Sequence, residues 1–139
     1  MTPEQSVVAS AVHAWKLNVE RADKLFSGLS EQQLLQEVAP GKNRLVYLWG
    51  HLIAVHDAML PLLGLGRRLH PELDAAFLTG ADRAVVELPP AAELKRHWDE
   101  VNGSLLAGFS SFTASKFSVL GGEGLARESL AETAAAARR

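Results

Sequence analysis

An all-α fold, a bundle of long helices, is what this sequence predicts, and three observations carry the prediction. Apolar residues recur in steps of three and four over three long stretches. Helix-start signatures precede the first of them and a short segment after it. No stretch alternates apolar and polar residues long enough to build a sheet.

The first helix is expected over about residues 3–29. Thr2 can cap it, Pro3 suits its first position, and Gln5 completes a capping box. Its stripe of Val8, Val12, Trp15, Val19, Ala22, Phe26 and Leu29 keeps one face toward a core. Ser30 with Gln33 repeats the signature and opens a short helix through about Val38, which Ala39-Pro40-Gly41 breaks. The second long helix is expected over about 43–64. Leu45, Leu48, Trp49, Leu52, Met59 and Leu63 form its main stripe, widened by Val46, Ile53 and Leu60, and such breadth marks a central helix. Gly64 and Gly66 end it, because glycine takes the left-handed cap conformation at little cost.

Residues 65–90 form a long connection, with a short helix expected from Pro71 to Leu78 and Pro89-Pro90 closing it. The third long helix comes next, over about 91–112, on Leu94, Trp98, Val101, Leu105, Phe109 or Gly108, and Phe112. Gly121-Gly122-Glu123-Gly124 interrupts the chain after it. Residues 125–138 favour helix by propensity, yet Leu125 and Leu130 are their only large apolar side chains. Three strong seams therefore face a weak fourth helix. That imbalance predicts an incomplete bundle, or one completed by a partner such as a second copy of the chain.

Composition bounds the function. A chain of 139 residues with 47% hydrophobic and 22% charged residues fits one globular domain, expected over 1–139. The net charge of −2 and the lack of a basic block argue against nucleic acid as a partner. With no cysteine, a metal would be held by imidazole or oxygen ligands. The N-terminus lacks a basic region followed by an apolar run, and the most apolar stretch, Leu45 to Leu65, carries His51, His56 and Asp57. A cytoplasmic protein with no membrane partner is expected.

Ala39-Pro40-Gly41-Lys42-Asn43-Arg44 leading into Leu48-Trp49-Gly50-His51-Leu52 resembles the DinB-like superfamily, which includes the YfiT-type proteins. So do His70-Pro71-Glu72-Leu73-Asp74 and the Leu94, Trp98, Val101-Asn102 seam, and the likeness spans about residues 5–112. The resemblance implies an up-down-down-up four-helix bundle, with residues 65–90 as the crossover. It also implies a divalent metal, nickel, zinc or iron, held by three histidines. One of these maps to His51, and the other two form a His-x-x-x-His pair on the last helix. The implied chemistry is that of hydrolases or of thiol-dependent transferases and isomerases, acting on a small molecule with a low-molecular-weight thiol as cosubstrate in some members. Here His97 is the last histidine, so the pair is absent and the ending from Thr113 to Arg139 reads as truncated or altered.

Histidines supply most of the site candidates. His51 sits at the edge of the second helix's stripe, either as a metal ligand or as an imidazole bonded to a carbonyl. His97 flanks the third helix's stripe with Glu93 four residues before it on the same face. With those two helices parallel, as the resemblance implies, His51 and His97 lie at similar depth, and with Glu93 they make a candidate three-ligand metal set. His56 reads as a satisfied core histidine, His13 as exposed, and His70 as a turn residue. Trp15, Trp49 and Trp98 read as core anchors. Arg67-Arg68 suits either the helix dipole or an anionic ligand. Two functions stay open: a metal-dependent enzyme, and a non-catalytic helical bundle acting as a homodimer or interaction module.

Overall fold

The computed structural model describes residues 2–112. In chain order these form α1 (Pro3–Ser27), α2 (Glu31–Leu34), α3 (Leu45–Leu62), a 3-10 turn (Pro71–Leu73), α4 (Asp74–Phe77) and α5 (Ala91–Ser110). Among the described residues the only β feature is an isolated bridge between Glu37 and Arg44. The fold is therefore all-α. The weak helix expected over 125–138 lies outside the described residues.

The helix starts agree closely with the sequence. Thr2 and Gln5 bond reciprocally at the head of α1, and Ser30 and Gln33 do the same at α2. The short helix expected through Val38 stops at Leu34, because the backbone turns back on itself. The Val38 N–H bonds to the Asn43 carbonyl and the Leu45 N–H to the Gln36 carbonyl, closing a loop that the bridge completes. At the end of α3, Gly64 takes a φ of 67°. The N–H of Leu65 then reaches the Leu60 carbonyl and that of Gly64 the Pro61 carbonyl, a Schellman closure of the helix.

Two compact units can be distinguished. In the one that contains residues 2–16 and 109–112, the Trp15 and Phe109 rings meet edge to face, with centroids 5.0 Å apart, and Phe109 stacks on Phe112.

The other unit, residues 17–108, holds most of the buried core. Trp49 and Trp98 are 1% and 2% exposed, so both act as the anchors their seams predict. Trp49 stacks flat on Phe26. On α5 the buried face of Leu94, Trp98, Val101 and Leu105 matches the sequence stripe. On α3 it does not. The buried face is Val46, Trp49, Gly50, Ile53, Ala54, Asp57 and Leu60, whereas Leu45, Leu48, Leu52, Met59 and Leu63 are only half-buried. The stripe is rotated because its centre includes a carboxylate and a glycine, which a count of large apolar residues passes over. Across α1 the predicted stripe is half-buried, with Phe26 alone fully so. Leu45–Leu62 is long and apolar enough by composition to cross a bilayer, but its centre carries Asp57, whose carboxylate is bound to the chain's own groups.

Candidate metal centre

Gly50 and His51 are shaped by one neighbour, Phe77 at the end of α4. A Cβ on Gly50 would stand 2.3 Å from the Phe77 ring, well inside van der Waals contact, so only glycine lets that ring lie against α3. One residue on, His51 Nδ1 donates to the Phe77 carbonyl at 2.7 Å. A carbonyl only accepts, so the proton is fixed on Nδ1 and the lone pair on Nε2. Tyr47, one turn earlier, stacks on the His51 ring and donates its hydroxyl to the Gly80 carbonyl at 2.8 Å. Arg44, at the head of α3, grips Asp82 through its side chain and its backbone N–H. Burial opposes ionisation of Asp82, but these bonds outweigh it and hold its carboxyl below the usual range.

His56 is the satisfied core histidine its sequence position suggests. Asn102 donates its amide to the Trp98 carbonyl at 3.0 Å, which leaves its oxygen to accept from His56 Nδ1 at 2.7 Å. The imidazole also stacks on Trp98. Burial lowers the His56 pKa, and the bond to Asn102 only partly offsets it.

Asp57 is fully buried, and three donors converge on its carboxylate. They are Arg68 Nε at 2.8 Å and the backbone N–H groups of Leu69 and His70 at 2.7 and 2.9 Å. Arg68 reaches on to Asp74. Asp57 thus ties the end of the 64–70 loop to the middle of α3 and sets where His70 stands. Arg68 is spent on these two carboxylates, so of the two roles expected for Arg67-Arg68, neither describes it.

His70 is therefore more than the turn residue its sequence position suggests. Its Nδ1 faces Glu72 and its Nε2 faces Glu100, both at 2.8 Å. Burial disfavours its charged form, but the two carboxylates outweigh that and raise its pKa above the ordinary imidazole value. The His70 and His97 rings lie 3.8 Å apart, and Glu93 accepts from His97 Nε2 at 3.3 Å. Ligand atoms of His70, His97 and Glu100 all fall within 4.8 Å of one another. Of the expected three-ligand set, the structure pairs His97 with Glu93 on α5. The group of close ligand atoms among the described residues is that of His70, His97 and Glu100, and His51 and Glu93 are not in it. The sequence does hold a signal for the cluster: an aspartate at the centre of an apolar helix demands donors, and Glu100 lies one turn after His97.

A helical chain with two histidine-centred corners invites comparison with metal-binding bundle families. The chain matches the family model of the DinB superfamily over residues 14–137, and it belongs to that superfamily. The match runs beyond residue 112, where the likeness read from the sequence stops. No curated protein matches the chain.

Proposed function

We propose that this DinB-superfamily protein binds a divalent metal and that His51 is one of its ligands. The hydrogen bond from His51 Nδ1 to the Phe77 carbonyl carries the reading. Metal-bound histidines characteristically donate their other ring N–H to a carbonyl or carboxylate, which fixes the ring and leaves the second nitrogen basic. Nickel, zinc and iron all accept such a nitrogen. When bound, the metal would polarise an oxygen or hold a thiolate, as a hydrolase or a thiol-dependent transferase or isomerase requires. The chain's part is positioning: Phe77 and Tyr47 fix the His51 ring, and Gly50 makes room for Phe77. The setting we infer is an up-down-down-up bundle in the cytoplasm, with a small molecule or low-molecular-weight thiol as substrate and no nucleic-acid or membrane partner.

Metal analysis of the purified chain tests this. His51→Ala is expected to lose one equivalent relative to the unsubstituted chain with its helical content intact; equal metal in both would reject His51 as a ligand.

The absence of any histidine after His97 favours a second reading, a non-catalytic bundle that works as a homodimer or interaction module. Solution size separates the two: a dimer that carries no metal supports the module, and a metal-loaded monomer supports the first reading.

A further inference from the structure

The geometry points to a second cation site, separate from His51, in which His70, His97 and Glu100 hold a zinc-like divalent ion beside the cleft between α4 and the start of α5. Two imidazoles and one carboxylate converge there, and their ligand atoms already lie within 4.8 Å of one another. On one ion at about 2.0–2.2 Å, tetrahedral ligand atoms stand roughly 3.4 Å apart. The His70 Nε2 to Glu100 Oε2 gap of 2.8 Å therefore opens slightly on loading, and the wider gaps close. Two imidazoles on one such ion hold their centroids roughly 5 Å apart, so the His70 and His97 rings part from their 3.8 Å contact.

Each histidine also carries the outer partner that metal-bound imidazoles use. Glu72 sits on His70 Nδ1 and Glu93 on His97 Nε2, while the Glu100 that faces His70 Nε2 is itself one of the three ligands. Three carboxylates around two imidazoles favour a cation, and the imidazoles select a transition metal over calcium or magnesium. The histidine side chains are each only 12% exposed, whereas Glu100 is 52% exposed and gives the ion a path from solvent. Asp57 supplies rigidity from behind by fixing the His70 backbone.

Three protein ligands leave a fourth position, the arrangement that zinc sites use to bind a water or small anionic molecule. A cleft of about 370 Å³ lies alongside, lined by His97, Glu93, Glu72, Phe77, Pro89 and Pro90. A small molecule with a carboxylate or carbonyl to offer the ion, and an apolar part to lie against Phe77 and the prolines, fits that position.

The test uses the full chain, stripped by chelator and titrated with cobalt(II), whose visible spectrum reports ligand type and coordination number. His51→Ala should keep one equivalent with a four- or five-coordinate spectrum. His70→Gln, His97→Ala and Glu100→Gln should each weaken that equivalent at least tenfold, and Glu93→Gln somewhat less, with unchanged circular dichroism. If a variant unfolds, the remaining ones decide. Loss of all cobalt in His51→Ala, or full retention across the folded cluster variants, overturns the site. The outcome for the cluster variants does not depend on whether His51 is itself a ligand.

Discussion

The His51 corner and the His70 corner both put an imidazole beside the segment 70–77, but they are built from different materials. His51 is held by main-chain chemistry: one carbonyl, one glycine that admits a ring, and a stacked tyrosine. His70 is held by charge, with Asp57 beneath its backbone and two glutamates on its ring. The first arrangement is short-range. The second costs desolvation of a buried carboxylate, offset only because three donors meet it. The two corners should therefore fail independently, and under different substitutions.

Asp57→Asn should have the largest effect. It removes the charge that Arg68 and two backbone N–H groups share, and breaking a buried pair of this kind costs about 3–5 kcal/mol. Denaturant unfolding measures the loss. Cobalt binding at His70 and His97 should weaken with it while the His51 equivalent survives; the reverse order would break the contrast. Gly50→Ala should come next, at about 2–3 kcal/mol, because overpacking against the Phe77 ring forces the helix and the ring apart. It should disturb the His51 corner first, read as loss of the His51 metal equivalent with the His70–His97 site retained.

His56, between the two corners on α3, sharpens the comparison through pH. The folded chain holds it neutral, so the unfolded chain takes up a proton first as pH falls below about 6.5. That uptake favours unfolding. The resulting loss of stability grows as pH passes down through the lowered folded value and vanishes above about 6.5. His56→Gln should flatten this part of the stability profile, and an unaltered slope would contradict the neutral, Asn102-bonded imidazole. Ser30→Ala, far from both corners in chain position, should cost only about 1 kcal/mol through the lost cap of α2 and leave metal binding unchanged.

The elements are legible in the sequence wherever the signal is local. Capping pairs at Thr2 and Ser30, the glycine after α3, and the α5 seam all reappear at or within a residue or two of their expected places. The Gly50-His51 motif is legible too, as a resemblance, although its reason becomes visible only once Phe77 lies against it. The α3 face departs from its apolar stripe because its centre is Asp57, a residue that reads as polar and turns out to be the most fully enclosed charge among the described residues. The His70 cluster escapes the sequence for a related reason. His70 and His97 are far apart in the chain, and the backbone at His70 is placed by a carboxylate on α3, which no periodicity reveals.

The most direct measurement is a crystal structure of the full chain grown with excess zinc, with the ions located by anomalous scattering. A peak is expected within about 2.2 Å of nitrogens from both His70 and His97 and of a Glu100 oxygen, with the two rings spread apart. A sole peak on His51, or none near His97, would contradict the second site.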